Sequence, residues 1–397
     1  MQVTAIWAVL GALALLYFGA ILFAMLAPAP VGEAAFYFDG SFLSRAAAYQ
    51  RAGLGLSLLQ QLLSLIILAG VAFAALRYFQ AAPRPSLPAA AGYIAAFLLF
   101  QLLVGLPLAF YRGHTIEHRF GLSARTAAGW FADYGKSALI SLLITTAALL
   151  GLYVLIIWRQ EHWWLPAGAV VALFMVLSGY LYPVLIDPLF YRFSELEKGE
   201  LHGEIMELSK KAGIGVERIL VADASRRTRK ANAYFSGLGA TKRIVLYDTL
   251  LENFTAEEVL AVVAHEMGHW RRGHLWRGLL LGAAGAFVAL YALYQVLLKM
   301  GVAADFRALP LALLFFALLS TVVGPAQCTL SRSFEVEADR TALCLTGDPA
   351  PFVSLYRKLA RSNLSVVQPH PLLKVLLYTH PPLMERIEAA RSHGEGG

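Results

Sequence analysis

Seven long apolar stretches, separated by shorter polar ones, run approximately Ala5–Leu26, Gly55–Phe79, Ala89–Tyr111, Ala138–Trp158, Leu165–Leu185, Gly278–Met300 and Leu309–Ala326. A helix needs roughly 20 apolar residues to cross a hydrocarbon core, so each stretch predicts a membrane span. The first lacks the basic start of a signal peptide, and the Ala-Pro-Ala-Pro after Leu26 is a weak cleavage site, so it is read as a retained span. The pattern predicts a mainly α membrane protein: residues 1–189 hold spans one to five with short loops, 277–327 hold spans six and seven, and 328–397 form a C-terminal helical segment. Residues 190–276 are the only polar stretch between spans that is large enough to fold as a domain.

Within that stretch the period of the pattern changes. EKGELHGEIMELSKKAGIG predicts a helix ending at Gly213. RILVADAS has the apolar run of a strand, and NAYFSGLGATKRIVLYDTLL predicts two strands joined by a Gly-rich turn, the second over Arg243–Tyr247. A small β-meander therefore leads into a helix. That helix opens on Thr255-Ala256-Glu257-Glu258, a capping box in which Thr255 and Glu258 satisfy each other's backbone donors. The closing HGEGG predicts a short disordered tail.

Composition agrees with a bilayer environment, since 58% of the 397 residues are hydrophobic and only 15% are charged. The net charge of +7 is not accompanied by a basic motif interleaved with aromatic residues, so no nucleic-acid partner is expected. Positive-inside bias accounts for it. With the N-terminus outside, segments 112–136, 186–277 and 327–397 lie inside and carry Arg112, Arg119, Arg125, Lys136, Lys210, Lys211, Arg226, Arg227, Arg229 and Lys230, whereas the outside loops hold little beyond Arg84, Arg159 and Arg307. Cys328 and Cys344 both fall on the inside, where neither a structural disulfide nor a metal role is expected.

The string His265-Glu266-Met267-Gly268-His269 matches H-E-x-x-H. Histidines four apart project from one helical face and can grip one zinc ion, and the glutamate between them is placed as general base for the water that the metal acidifies to a pKa of roughly 7. A surface helix with two chance histidines is the bland reading, and the third ligand argues against it. In SRSFEVEADRTAL, Glu335 and Asp339 share one helical face, so that Glu335 can ligate while Asp339 accepts a hydrogen bond from a ligand histidine; Glu337 points away as a solvated charge. Two spans separate His269 from Glu335, which returns both to one side of the membrane. The inverted string His114-Thr115-Ile116-Glu117-His118 lacks a capped helix and a supporting partner and is read as structural. His274, five after His269, is rotated off the ligand face and is assigned to packing or the surface. In His380-Pro381-Pro382-Leu383-Met384-Glu385-Arg386 the prolines mark a helix start, with capping as one reading of the motif.

HEMGHW followed by His274, SRSFEVEAD, NAYF at Asn232–Phe235 and HPPLMER together resemble the type I CAAX prenyl proteases, integral-membrane zinc metalloendopeptidases that process farnesylated a-factor and prelamin A, and their bacterial relatives. The resemblance covers nearly the whole chain, including IEHRFGLSARTAAGWFADYGK after the third span. It implies seven transmembrane helices around an intramembrane chamber, capped by a zincin-like α+β protease domain on the cytoplasmic side. It also implies one Zn2+ per chain on His265, His269 and Glu335, Glu266 as general base and Asp339 as an orienting group. His380 and Arg386 match positions that help bind substrate or stabilise the oxyanion. Asn232, Ala233, Tyr234 and Phe235 would be the edge strand on which an extended peptide lies. His114 and His118 depart from the relatives, and the Ala- and Leu-rich composition looks bacterial, pointing to a bacterial inner membrane with the active site facing the cytoplasm. Because most bacteria lack prenylation, a lipidated peptide substrate stands beside an alternative, quality control of membrane proteins. A transporter or receptor is disfavoured because it predicts charged residues along a pathway, and the spans hold almost none beyond Arg77, Gln60, Gln61 and Gln101. An inactive scaffold would have no need of Glu266.

Overall fold

The computed structural model describes residues 2–27, 32–78, 84–303 and 305–395. Among the described residues, seven helices are long and apolar enough to cross a membrane: α1 (Gln2–Leu26), α2 (Gly40–Tyr78), α3 (Leu87–Phe110), α4 (Ala127–Trp158), α5 (Trp164–Leu181), and, after the polar domain, two more. The expected end of the second span at Phe79 lies outside the described residues, as does the Pro28–Pro30 part of the weak cleavage site. Apolar side chains such as Leu15, Ile66 and Phe73 stay exposed on the bundle surface, as expected where lipid rather than protein is the neighbour.

The domain between spans five and six begins with β1 (Phe193–Glu195), α6 (Glu200–Ala212), β2 (Arg218–Ala222), β3 (Ala233–Ser236) and β4 (Arg243–Tyr247), followed by α7 (Ala256–Arg271). Its sheet order is β1-β2-β4-β3, with β2 and β4 parallel and the other two pairs antiparallel. This corrects the expected meander: residues 223–232 carry the chain past the position of β4 to the far edge, and β4 then returns to the middle. β1 carries no apolar run that would reveal it, because Ser194 and Glu195 are exposed. One face of the sheet meets α6 and α7 in a core that includes Ile205, Ile244, Leu246, Val263, Ala264 and Met267.

α8 (His274–Lys299) and α9 (Ala308–Thr346) are spans six and seven. α9 has 39 residues, about 58 Å at 1.5 Å per residue, nearly twice a hydrocarbon core of about 30 Å. Its apolar first half spans, and its polar second half continues into the protease domain. The expected boundary at 327/328 is therefore no break, even with Pro325 inside the helix. The chain closes with α10 (Ala350–Asn363), α11 (Pro371–Leu377) and α12 (Leu383–Glu395). α12 includes His393–Glu395, so most of the expected disordered tail is helical; Gly396 and Gly397 lie outside the described residues.

Candidate metal centre

α7 starts where the capping box places it: the Thr255 hydroxyl accepts from the Glu258 amide at 3.4 Å, and the Glu258 carboxylate accepts from the Thr255 amide at 2.9 Å. Glu258 is buried, and Lys358 Nζ at 2.8 Å together with Ser354 keeps its carboxyl below the usual range against the effect of burial. From this fixed start, three turns of helix bring His265, Glu266 and His269 to the site. Gly268 lets α7 approach α9, because a Cβ there would sit 2.7 Å from the Ala338 carbonyl oxygen and 2.9 Å from its Cα. The close crossing puts the HExxH face against Glu335 and Asp339.

His265 Nε2 and His269 Nε2 lie 3.1 Å apart. His265 Nε2 is 3.2 Å from Glu335 Oε2, and His269 Nε2 is 3.3 Å from Glu335 Oε1. Among the described residues these three form the one group able to hold a metal, with ligand atoms all within 4.8 Å of one another. Nitrogens on a tetrahedral zinc at about 2.1 Å would be roughly 3.4 Å apart, so the spacing fits. The proton arrangement fits as well. In its neutral form His265 donates Nδ1–H to Asp339 Oδ1 at 2.7 Å, which leaves the Nε2 lone pair directed at His269 and Glu335. Glu335 Oε2 is buried without a hydrogen-bond donor, as a ligand oxygen facing a cation would be.

Burial by itself would lower the pKa of His265, but the Asp339 and Glu335 carboxylates outweigh it and hold the imidazole up to about 9. Burial pushes the Glu266 carboxyl up from its usual range, opposed by the two neighbouring imidazoles. Glu266 Oε2 accepts from the backbone amide of Phe235 at 3.2 Å. The β3–β4 register and the bond from the Tyr247 amide to the Asn232 carbonyl give the strand's alternation: Tyr234 and Ser236 turn their backbone groups to β4, while Ala233 and Phe235 turn theirs outward. β3 is thus an edge strand with its free side toward Glu266. Beside it lies a cavity of about 470 Å³ with mainly apolar walls, bounded by Gly179, Tyr182, Phe235, Glu266, His269 and Trp270.

The other expected site residues divide. Asn232 is exposed and precedes β3, and the Tyr234 hydroxyl donates to Asp187 at 3.1 Å, on the sheet face away from α7. His380 stands at the open side, 59% exposed, with Nε2 3.4 Å from Glu335 Oε1. Arg386 departs from the expected oxyanion donor. Its side chain is only 10% exposed and grips Asp339, Nε at 2.8 Å from Oδ2 and Nη2 at 2.6 Å from Oδ1, on the Nδ1 side of His265. Tyr356 adds its hydroxyl to Asp339 Oδ1 at 3.0 Å.

Two further residues adjoin the candidate site. His274 is buried, with Nδ1 2.9 Å from His269 Nδ1, and Glu337 contacts both His274 Nε2 at 3.2 Å and Arg277 at 2.8 Å. Glu337 is therefore not the free solvated charge expected: Gly273, at φ +67°, turns the chain so that α8 starts alongside α9 and presents two partners to it. The string EMGHWRRGH contains the only available signal, a histidine just past the helix-ending glycine. In the inverted string, Glu117 is bound by Lys230 at 2.9 Å and by Tyr49, and the His114 ring stacks on Phe110, in keeping with a structural role.

Residues 195–393 match peptidase family M48, and residues 32–192 match the CAAX prenyl protease N-terminal region of five membrane helices. The chain is 35% identical over 309 residues to the uncharacterized metalloprotease YhfN of Bacillus subtilis, covering 75% of this chain and 72% of that one. It is 31% identical over 318 residues to CAAX prenyl protease 1 of Saccharomyces cerevisiae, covering 72% and 68%. The crystal structure of S. mikatae Ste24p has the same fold, with a TM-score of 0.78 over 96% of each chain at 24% identity. Seven described helices long and apolar enough to cross a membrane, a His-His-Glu group where the HExxH helix meets the last of them, and matches along nearly the full length lead to one conclusion: this chain belongs to peptidase family M48, as a multi-pass membrane metalloprotease of the CAAX prenyl protease type.

Proposed function

We propose that the metal is zinc, held by His265, His269 and Glu335, and that the protein is an endopeptidase that takes its substrate as an extended strand along β3. The convergence of the three ligand groups beside Glu266, whose carboxylate is anchored on the free edge of β3, carries this reading. When bound, zinc supplies Lewis acidity, polarising a carbonyl and acidifying water. Glu266 takes the proton from the attacking water and passes it to the leaving amine. Its raised pKa favours holding that proton between the two transfers. The outward amide and carbonyl of Ala233 and the outward carbonyl of Phe235 pair with the peptide backbone, the Phe235 amide being held by Glu266, which gives affinity without sequence specificity. His380, exposed beside Glu335, stabilises the oxyanion. Arg386 and Asp339 act as positioning residues by holding the His265 ring.

The apolar cavity between β3 and α5 suits a hydrophobic group close to the scissile bond, which favours a lipidated peptide of the kind named for the yeast relative. Quality control of unmodified membrane proteins is the competing role. The Bacillus relative favours a bacterial membrane, the inner one where there are two, and the charge asymmetry of the loops favours a centre facing the cytoplasm.

Purified wild type and Glu266→Gln would be given a farnesylated CAAX peptide and an unmodified membrane protein, with zinc quantified in both. The variant should keep one zinc per chain and lose cleavage by about 10²- to 10⁴-fold, the range for removal of a general base. Preferential cleavage of the farnesylated peptide supports the lipidated substrate, and preferential cleavage of the unmodified protein supports quality control. A variant as active as wild type would refute the assignment of Glu266, and a wild type that binds no zinc would refute the choice of metal.

A further inference from the structure

We infer that His274 and Glu337 form a relay that orients the second ligand histidine, so that His269 is held through an imidazole where His265 is held by a carboxylate directly. The inference rests on His269 being a ligand. A histidine that ligates through Nε2 carries its proton on Nδ1. His269 Nδ1 lies 2.9 Å from His274 Nδ1, so His269 donates and His274 must present a bare nitrogen there. The proton of neutral His274 is then on Nε2, 3.2 Å from Glu337 Oε2, and the carboxylate accepts it. Arg277 Nη1, 2.8 Å from the same oxygen, closes the chain with a cation. Every donor meets an acceptor in this order.

The relay is fixed in place by packing. The His274 ring is buried and lies flat on Phe334, with centroids 4.5 Å apart and planes 4° from parallel. The Arg277 guanidinium sits over the same phenyl ring at 4.5 Å. Phe334 adjoins the ligand Glu335, and Glu337 is two residues further on, so α9 carries a ligand for the metal and the far end of a support for another ligand. Such outer partners fix the ring orientation and tautomer of a ligand histidine, and their loss commonly weakens metal binding by about 10- to 100-fold.

The test uses the full-length protein in detergent, with zinc affinity measured by chelator competition and coordination geometry by the visible spectrum of the cobalt(II)-substituted protein. His274→Phe keeps the stack on Phe334 and removes the acceptor, so zinc affinity should fall about 10- to 100-fold with an altered cobalt spectrum. Glu337→Leu should weaken zinc in the same direction by a smaller factor, while Glu337→Gln, which retains an acceptor oxygen, should stay close to wild type. Because Glu337 is 37% exposed, its two variants decide the matter even if His274→Phe fails to fold. Wild-type affinity and an unchanged spectrum in His274→Phe, or in Glu337→Leu where His274→Phe does not fold, would overturn the relay alone. Absence of zinc binding by wild type would instead overturn the ligand assignment on which the relay rests.

Discussion

The two sides of the metal centre are built from different materials. Behind His265 lies a closed cluster in which Asp339 meets an imidazole, a guanidinium and a phenol, all withdrawn from water. Behind His269 the support passes through His274 to Glu337 and Arg277 at a half-open surface. Two histidines of one motif, one turn apart, therefore differ in how firmly they are held. On the closed side the charges are coupled to the stability of the whole domain, because none can be removed without stranding another. On the open side water can replace a lost partner, and the consequence is confined to the metal.

The largest predicted effect strikes the closed side. Asp339→Ala strands the buried Arg386 guanidinium, and removing one partner of such a pair costs about 3–5 kcal/mol. Thermal unfolding should show a large fall in Tm, and Glu337→Leu should leave Tm nearly unchanged. Equal losses in the two variants would erase the contrast.

A second consequence follows from the charge of His265. Its metal-free pKa of about 9 lies above the unfolded value, near 6.5, so protonation stabilises the folded metal-free protein fully below pH 6.5, and this contribution disappears as pH rises through about 9. Under the proposed assignment, a metal on His265 must displace that proton. Affinity should fall by about tenfold for each unit that pH drops below 9, before other groups join in. Zinc titrations of Asp339→Asn should have a shallower dependence near neutral pH; an unchanged slope would mean that Asp339 does not set the His265 proton affinity.

The smallest effect concerns the helix crossing shared by both sides. Gly268→Ala forces a methyl against the Ala338 backbone and should cost about 1–3 kcal/mol, as overpacking does. Both histidines should lose zinc affinity together, since the whole of α7 shifts. A loss confined to one, read from the cobalt spectrum, would place the strain elsewhere.

How much was legible beforehand varies with the range of the interaction. The seven spans, the capping box and the HExxH spacing are local patterns, because hydrophobic length and helical period act over a few turns. Glu335 and Asp339 share a helical face and could be paired on that ground. The sheet order was not legible: an apolar run identifies β2 and β4 as strands, yet parallel pairing depends on the path of residues 223–232. Arg386 was associated with the site by motif, but the direction of its guanidinium is set by where α12 packs. Glu337 looked like a surface charge because nothing in its own helix reveals that α8 folds back beside it.

The sequence by itself determined the membrane class, the metalloprotease motif and the return of its two halves to one side after two spans, since each depends on composition, on helical spacing or on the number of apolar stretches. The tertiary structure alone decided which histidine of the motif has a buried carboxylate behind it and which has a second imidazole, and that the free edge of β3 faces Glu266. Those outcomes depend on contacts between helices and strands distant in the chain, whose geometry is set only when the core closes around Met267 and Gly268 lets α7 meet α9.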